Sequence, residues 1–456
     1  MFKRIQKIHF VGIGGVGMSG IAEVLLNQGF SVSGSDLKTS PVTQRLVSFG
    51  AKIYEGHHVD HLKDVDVVVI SSAIRPSNPE VQEAQLRQIP IIPRAEMLAE
   101  LMRPKYGITV AGTHGKTTTT SMVAILLQKA GMDPTVVVGG RLNALGSNAK
   151  LGTGDFMVVE ADESDRSFLL LSPTLAVVTN IDEDHMESYE GIEDLKSAFV
   201  NFMNKVPFYG SVILCLDDPN LQSLIPQIRR RMVSYGFNGQ SDLNILSPVS
   251  EGFRSLFHLR YRGDDLGEFQ LGIPGKHNLL NAAAAVAVGL DLGIPVSTLK
   301  DALAGFSGAD RRFQVKGQNR GITIIDDYAH HPTEIKATLE AARQLGDQRI
   351  VVVFQPHRYS RTQYCFDEFA RSFYQADVLI LMDIYAAGEE PLEGVSSERL
   401  VEAIKSFGHK NVRHFPALVD LPAALAAELR EGDLVITMGA GNIWKVSEDL
   451  LQQLKS

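Results

Sequence analysis

Two glycine-rich stretches in this 456-residue chain have the residue types and spacing that hold phosphate groups. The first is Gly12-x-Gly14-x-x-Gly17, which follows the apolar run Ile8 to Val11 and precedes a helical pattern from Met18 to Gln28. Glycines permit a tight turn and close backbone approach to a diphosphate, and a helix start adds N–H donors and partial positive charge. Asp36, which ends "SVSGSD" about 20 residues further on, suits a ribose hydroxyl. That ribose could come from NAD, UDP or another nucleotide, and an aspartate there could equally cap a turn.

The second stretch is "VAGTHGKTTTTSM", with Gly112, Gly115, Lys116 and Thr117 between a predicted strand and a predicted helix, Thr117 to Ala130. Backbone N–H groups of such a loop face a phosphate chain, Lys116 neutralises its terminal phosphates, and the Thr117 hydroxyl suits Mg²⁺. The loop departs from the usual pattern, because Val110 stands where the first glycine belongs. Carboxylates follow at the ends of later apolar strands. Glu160 in "DFMVVEADESD" is placed for a metal beside a phosphate loop. Asp182, Asp184 and His185 in "NIDEDHM" offer hard oxygens and one imidazole, although a loop histidine of this kind is also at home in a plain hydrogen bond. Asp162, Glu163 and Asp165 read as solvated or supporting acids.

These residues need strand ends and helix starts to place them, and the chain supplies both throughout. "KIHFVGI", "SVSGSD" and "VDVVVISSAI" are predicted strands with helical patterns between them, and "RPKYG", Arg103 to Gly107, reads as a linker. A second block carries "GITVAGT", "TVVVGG", "DFMVVEAD", "TLAVVTNI" and "GSVILCLD". Residues 240–271 alternate apolar and polar, as a small antiparallel excursion would. A third block begins near Lys316, with "GITIIDDY", "RIVVVFQP", "DVLILMDI" and "DLVITMGAG". Strands alternating with helices imply doubly wound parallel sheets, and the length implies three α/β domains in series. Sites are expected at the C-terminal ends of the strands.

Composition limits the remaining choices. The chain has 44 basic and 53 acidic residues, a formal charge of −9, and no basic footprint for nucleic acid. No apolar run approaches the roughly 20 residues that span a bilayer, so no stable membrane insertion is expected. Cys215 and Cys365 lack metal-ligand spacing and read as reduced thiols, which with an N-terminus unlike a signal peptide suggests a cytoplasmic protein.

"GTHGKTTTT", "EADESD", "NIDEDHM", "GKHNLLNAAAA", "ADRRF", "DDYAHHPTEI", "PHRYSRT" and "MGAGNI", in this order, resemble the Mur ligases of bacterial cell-wall synthesis. The resemblance runs from Ile8 to Trp444. It implies a three-domain α/β fold: a Rossmann-like UDP-sugar domain (1–105), a central parallel-sheet P-loop ATPase-type domain (106–314) and a C-terminal Rossmann-like domain (315–456) that closes over the other two. It also implies ATP and Mg²⁺, with Thr117, Glu160 and His185 as metal ligands. The ATP residues are then Gly112, Thr113, His114, Gly115, Lys116, Thr117, Thr118, His277, Asn281, Arg312 and Asp327. The UDP-sugar residues are Gly12, Gly14, Gly15, Val16, Gly17, Asp36, His57 and Ser71, so the first loop holds UDP rather than NAD. Lys116, Glu160, His185, His330, Arg358 and Arg361 are the catalytic candidates.

Several of these have alternative readings. His277, Asn278 and Asn281 match residues near the nucleotide, but such residues also cap helices. Arg311 and Arg312 both qualify as the arm to ATP. Arg358 and Arg361, spaced i and i+3 after a strand, suit a carboxylate or departing phosphate if a helix begins there. The cluster His57, His58 and His61 reads as a surface loop from which His57 or His58 could touch the sugar nucleotide.

Within the family, "GIGGVGMSG" and "DDYAHHPTEI" favour the member type that adds L-alanine to the lactyl carboxylate of UDP-N-acetylmuramate through an acyl phosphate. The other readings are a sister ligase that attaches a preformed peptide, an NAD-dependent oxidoreductase, and a non-catalytic UDP-sugar sensor. The expected partners are the two small-molecule substrates, with the chain a monomer or homodimer.

Overall fold

A five-stranded parallel sheet opens the chain, with strands β1 (Lys7–Val11), β2 (Ser31–Asp36), β3 (Lys52–Glu55), β4 (Val67–Ile70) and β5 (Ile91–Pro93) in the order β3-β2-β1-β4-β5. The order reverses beside β1, which sends the chain to opposite sides and opens a crevice at the strand ends. The computed structural model describes residues 5–71, 73–142 and 147–455. The helix expected from Met18 runs over Val16–Asn27 and starts at Gly15 with no side-chain cap. Its first N–H groups therefore remain open to an anion.

The second sheet has ten strands: β6 (Tyr106–Ala111), β7 (Thr135–Leu142), β8 (Ser147–Lys150), β9 (Phe156–Glu160), β10 (Leu175–Val178), β11 (Ser211–Cys215), β12 (Met232–Gly236), β13 (Leu243–Glu251), β14 (Arg254–Tyr261) and β15 (Asp264–Leu271). Their order is β15-β14-β13-β12-β11-β10-β6-β9-β7-β8. β6 lies between β9 and β10 and is parallel to both. It therefore carries the phosphate-loop stretch at the sheet centre, with the Glu160 strand on one side and the "TNID" strand on the other. The expected linker 103–107 is shorter than read, because Tyr106 and Gly107 already belong to β6. Both lie in the ladder with β9, through Phe156 and Met157.

The third sheet holds β16 (Gln314–Asn319), β17 (Ile322–Asp327), β18 (Ile350–Phe354), β19 (Val378–Leu381), β20 (Val412–His414) and β21 (Leu434–Met438), in the order β16-β17-β21-β18-β19-β20. Two of these strands were not read from the sequence. β16, "QVKGQN", is polar and pairs antiparallel along the edge, and β20 is three residues long. Neither shows the apolar run of a central parallel strand.

By compactness the chain divides into two units, one of Met1–Leu246, Leu259–Gly267 and Leu280–Leu303, the other of Ser247–His258, Glu268–Leu279 and Ala304–Ser456. Residues 240–271 contain the expected excursion: β14 follows β13, and β15 follows β14, after two residues each. Gly252, Arg262 and Gly263 adopt positive φ in these turns, as tight hairpins require.

The helix Lys116–Lys129 shows how a polar sequence is buried. Thr118, Thr119, Thr120 and Ser121 are all buried. Thr120 and Ser121 donate to the carbonyls of Lys116 and Thr117 at 2.8 and 2.6 Å, and Thr119 donates to Asn281 at 3.1 Å. Each of those three hydroxyls replaces the water it loses. No described helix is long and apolar enough to cross a membrane.

Both cysteines are buried. Burial pushes the Cys215 thiol up to about 12. A thiolate is the reactive form, so a thiol reagent at pH 8 should label neither cysteine in the native protein and both after denaturation. Labelling of Cys215 at a rate typical of a free thiol would contradict the packing described.

Candidate functional site

In the first unit, the loop after β6 closes on itself around Lys116. The lysine ammonium donates to the carbonyls of Gly112 (2.7 Å) and Thr113 (3.1 Å) and to Glu163 Oε1 (2.9 Å). Burial alone would lower this amine, but the neighbouring charges of Glu163 and Asp162 raise it above the ordinary lysine range. It is thus a fixed cation at the start of a helix. Glu163 is 1% exposed and bonded to Lys116, so of its two readings, solvated or supporting, the solvated one falls. The sequence did not single it out, because "EADESD" lies in a loop where no periodicity tells inward acids from outward ones.

The loop is held from below by the end of β10. Thr113 N–H donates to the Asn180 carbonyl, and His114 N–H to Asn180 Oδ1 at 2.8 Å. The Thr179 hydroxyl and the Asn180 amide both donate to the His114 carbonyl. His114 Nε2 lies 3.0 Å from Asp182 Oδ2. Asp182 is therefore a partner of the loop. Asn281 stands behind Gly115, where a Cβ would come within 2.5 Å of its Oδ1, so it supports the loop from the rear. Thr118 is buried in the first turn of the following helix.

The residues here fit a divalent metal. Thr117 Oγ1 lies 3.0 and 3.1 Å from the two Glu160 oxygens. Two neighbouring ligands at about 2.1 Å on an octahedral Mg²⁺ are about 3 Å apart. Glu160 also accepts from Gly139 N–H at 2.8 Å. Oε2 of Glu163 is buried without a hydrogen-bond partner among the described residues, so the acid loop has capacity for a cation. His185 adopts a left-handed backbone, φ 58°, beside Asp184 and Glu187, and its charge acts on Glu163.

The first glycine loop sits on β2. Gly12 and Ile13 N–H groups donate to the Ser35 carbonyl at 2.8 and 3.0 Å. Gly14 N–H donates to Asp36 Oδ2 at 2.8 Å, and Leu37 N–H to Oδ1. Asp36 therefore shapes the loop as well as standing where a ribose would be read. Gly15 caps the helix, and a Cβ on Gly17 would meet Arg94 at 2.5 Å. Ser71 follows β4, with its hydroxyl 4.0 Å from the Cβ position of Gly12. The side chain of Val16 lies outside the described residues. The histidine cluster is not a solvated loop. His58 is exposed, but His57 and His61 turn inward to the fully buried Glu80. "HHVDHL" gave no hint of this partner, because Glu80 comes about 20 residues later in another helix.

In the second unit, the candidates collect at the ends of β17 and β18. Asp327 is buried, accepting from Phe313 N–H at 2.7 Å and Ala329 N–H at 2.8 Å. Burial lifts its carboxyl to about 6, against the pull of Arg312. His277 is lowered to about 4 by burial, with Arg312 adding to the effect, and so is neutral near pH 7. The two candidate arms differ in their partners. Arg311 is committed to Asp326 (2.8 Å) and to the carbonyls of Gly439 and Gly441. Arg312 lies over the Tyr328 ring and 3.4 Å from Glu334.

His330 Nδ1 is 3.0 Å from the Tyr328 carbonyl and 3.2 Å from Glu334. A helix does begin after β18, over Tyr359–Tyr364. Arg358 caps it with φ 69° and lies 4.0 Å from Glu389, while the buried Arg361 lies 3.4 Å from His357. The helix Lys276–Asp291 places His277 in its first turn, one residue inside its start. Asn278 donates back to the Pro274 carbonyl at 2.7 Å.

Three family models match the chain in order: "Mur ligase family, catalytic domain" over residues 7–106, "Mur ligase middle domain" over 110–289, and "Mur ligase, glutamate ligase domain" over 311–441. The chain is 56% identical to the UDP-N-acetylmuramate–L-alanine ligase of Solibacter usitatus over all of this chain and 97% of that one. It is 57% identical to that of Pelobacter propionicus, over 100% and 99%. The solved UDP-N-acetylmuramate–alanine ligase of Thermotoga maritima superposes with a TM-score of 0.84 at 30% identity, over 98% of this chain and 99% of that one. A murein peptide ligase from Psychrobacter arcticus gives 0.71 at 25% identity, over 98% of each.

The loop's tolerance is testable by contrast. Gly112 has φ +128°, and an added Cβ would stand 2.1 Å from Thr179 Oγ1, whereas Gly131 has φ +76° with open space around it. Gly112→Ala should lose about 3 kcal/mol or more of stability in urea denaturation, and Gly131→Ala about 1. Equal losses would mean that the β10 end does not confine the loop.

Proposed function

The chain belongs to the Mur ligase family, and on that premise we propose how it works: it joins L-alanine to the lactyl carboxylate of UDP-N-acetylmuramate, consuming ATP. The observation that carries this reading is the closed Lys116 loop beside the Thr117–Glu160 pair, in a chain matched from end to end by alanine-adding relatives. Among the solved structures, the alanine ligase matches at a TM-score of 0.84 and 30% identity and the murein peptide ligase at 0.71 and 25%. An oxidoreductase or a sugar sensor leaves the second loop and its acids without a task.

The chemistry follows from the carboxylate. It is a poor acylating agent, because oxide is a poor leaving group. Transfer of the γ-phosphoryl group of ATP to a lactyl oxygen makes an acyl phosphate and releases ADP. The amine of L-alanine then attacks the carbonyl carbon, and the tetrahedral intermediate expels phosphate while the nitrogen loses a proton. Lys116 and the loop N–H groups from Gly112 to Thr118 spread the charge of phosphoryl transfer. Thr117, Glu160 and His185 would hold Mg²⁺, which when bound neutralises phosphate charge.

Gly12, Gly14, Gly15, Val16, Gly17, Asp36, His57 and Ser71 are assigned to the UDP-sugar. In the second unit His277, Arg312 and Asp327 are assigned to ATP; Arg358 and Arg361 to a carboxylate or departing phosphate; and His330 to the reacting groups. Asn281 acts on ATP through Gly115. The domains are placed at 1–105, 106–314 and 315–456, in a cytoplasmic enzyme acting on small molecules as a monomer or homodimer.

The test is ADP release with Mg²⁺ and UDP-N-acetylmuramate, comparing L-alanine, the L-Ala-γ-D-Glu-diaminopimelate tripeptide and no acceptor. Release should require L-alanine and fall at least about 10²-fold in Lys116→Ala. Release with the tripeptide alone would make this the peptide-adding type, and release with neither would overturn the ligase reading.

A further inference from the structure

Glu80 is fully buried in the first unit, in the helix Pro79–Leu86, and belongs to neither glycine loop. Four side chains converge on its carboxylate. Ser35 Oγ donates to Oε2 at 2.5 Å, His57 Nδ1 lies 3.1 Å from the same oxygen, His61 Nδ1 lies 2.6 Å from Oε1, and His9 Nε2 lies 3.4 Å from Oε1. Burial alone would raise this carboxyl, but the hydrogen bonds from Ser35 and His61, with His9 close by, hold it at about 2. It is ionised across the working range and can only accept.

The acceptor fixes the proton of Ser35 and, through it, one proton of His57. The single Ser35 proton goes to Glu80, so Ser35 Oγ can only accept from His57 Nδ1, 2.8 Å away. Both neighbours of His57 Nδ1 are therefore acceptors towards it, and Nδ1 must carry hydrogen. In the neutral ring Nε2 is then a bare lone pair, with no partner among the described residues. Ser35 also carries the first glycine loop, because its carbonyl accepts from Gly12 and Ile13. One residue thus links the imidazole and the loop.

We infer that Glu80 is a positioning residue for the sugar nucleotide, acting through His57: it holds the Nδ1–H tautomer so that Nε2 accepts from a hydroxyl or ring N–H of the nucleotide. An Nε2 that bears no hydrogen cannot donate to phosphate, so the Nδ1–H tautomer selects for the nucleoside part of the ligand. The inference rests on the sugar-nucleotide assignment of the first loop. Carboxylate partners that orient an imidazole are worth about 10- to 100-fold where the imidazole binds a metal.

Two measurements test it. ¹⁵N NMR of the wild-type protein should show His57 with protonated Nδ1 and bare Nε2, a result that needs no variant and no activity; the reverse tautomer would overturn the inference. In the second, Glu80→Gln should raise KM for UDP-N-acetylmuramate about tenfold, with kcat and KM for ATP changed less than about threefold. Glu80→Gln, His57→Ala and the double variant should be non-additive. Additive effects, or equal losses in all three parameters, would reduce Glu80 to a packing role. If wild-type enzyme shows no L-alanine-dependent turnover, the proposed function has failed. UDP binding by the same variants then decides this inference separately, expected about tenfold weaker in Glu80→Gln and unchanged if Glu80 only packs.

Discussion

A lysine ammonium folded back against its own loop is the contact on which the surroundings of the second glycine stretch depend. Lys116 meets two backbone carbonyls and Glu163, and each contact fixes a different part of the surroundings. The carbonyls set the curvature of Gly112 to Gly115, and Glu163 brings the acid loop after β9 up to the same cation. Without the carboxylate, desolvation would pull the ammonium below its ordinary range. Burial already pushes the Glu163 carboxyl up, and Lys116 is the main charge that pulls it back towards the ionised form.

That arrangement needs a rigid floor. The parallel sheet supplies it by placing β6 between β9 and β10, so that loop, Glu160 and "TNID" clamp leave neighbouring strands in the same direction. The polar helix after the loop is tolerated because its buried hydroxyls find acceptors within one turn or on Asn281. The first sheet uses the same device differently. There the glycine loop hangs from Ser35 and Asp36, and the buried anion below it orders imidazoles instead of an ammonium.

Much of this was legible in the sequence because it is local. Strand–loop–helix units appear as apolar runs broken by glycine, and the place of Glu160 at a strand end is legible because it ends such a run. The partnerships were not legible. Glu163 and Asp165 look alike in "EADESD", yet Glu163 is the one turned into the core to meet Lys116. His57 and His61 look like loop residues until a helix from elsewhere brings Glu80 beneath them. Arg311 and Arg312 are adjacent, and only the fold shows that the first is committed to Asp326 and the 439–441 backbone. β16 escaped because an edge strand need not be apolar.

The central claim is that ATP is used to activate a carboxylate, and oxygen tracing tests it most directly. UDP-N-acetylmuramate labelled with ¹⁸O in both lactyl carboxylate oxygens would be turned over with ATP and L-alanine, and the phosphate analysed by mass. Passage through an acyl phosphate leaves one ¹⁸O in each phosphate released and one in the amide product. Phosphate free of ¹⁸O, at a stoichiometry of one ADP per amide bond, would show that the carboxylate oxygen never bonds to phosphorus and would contradict the account.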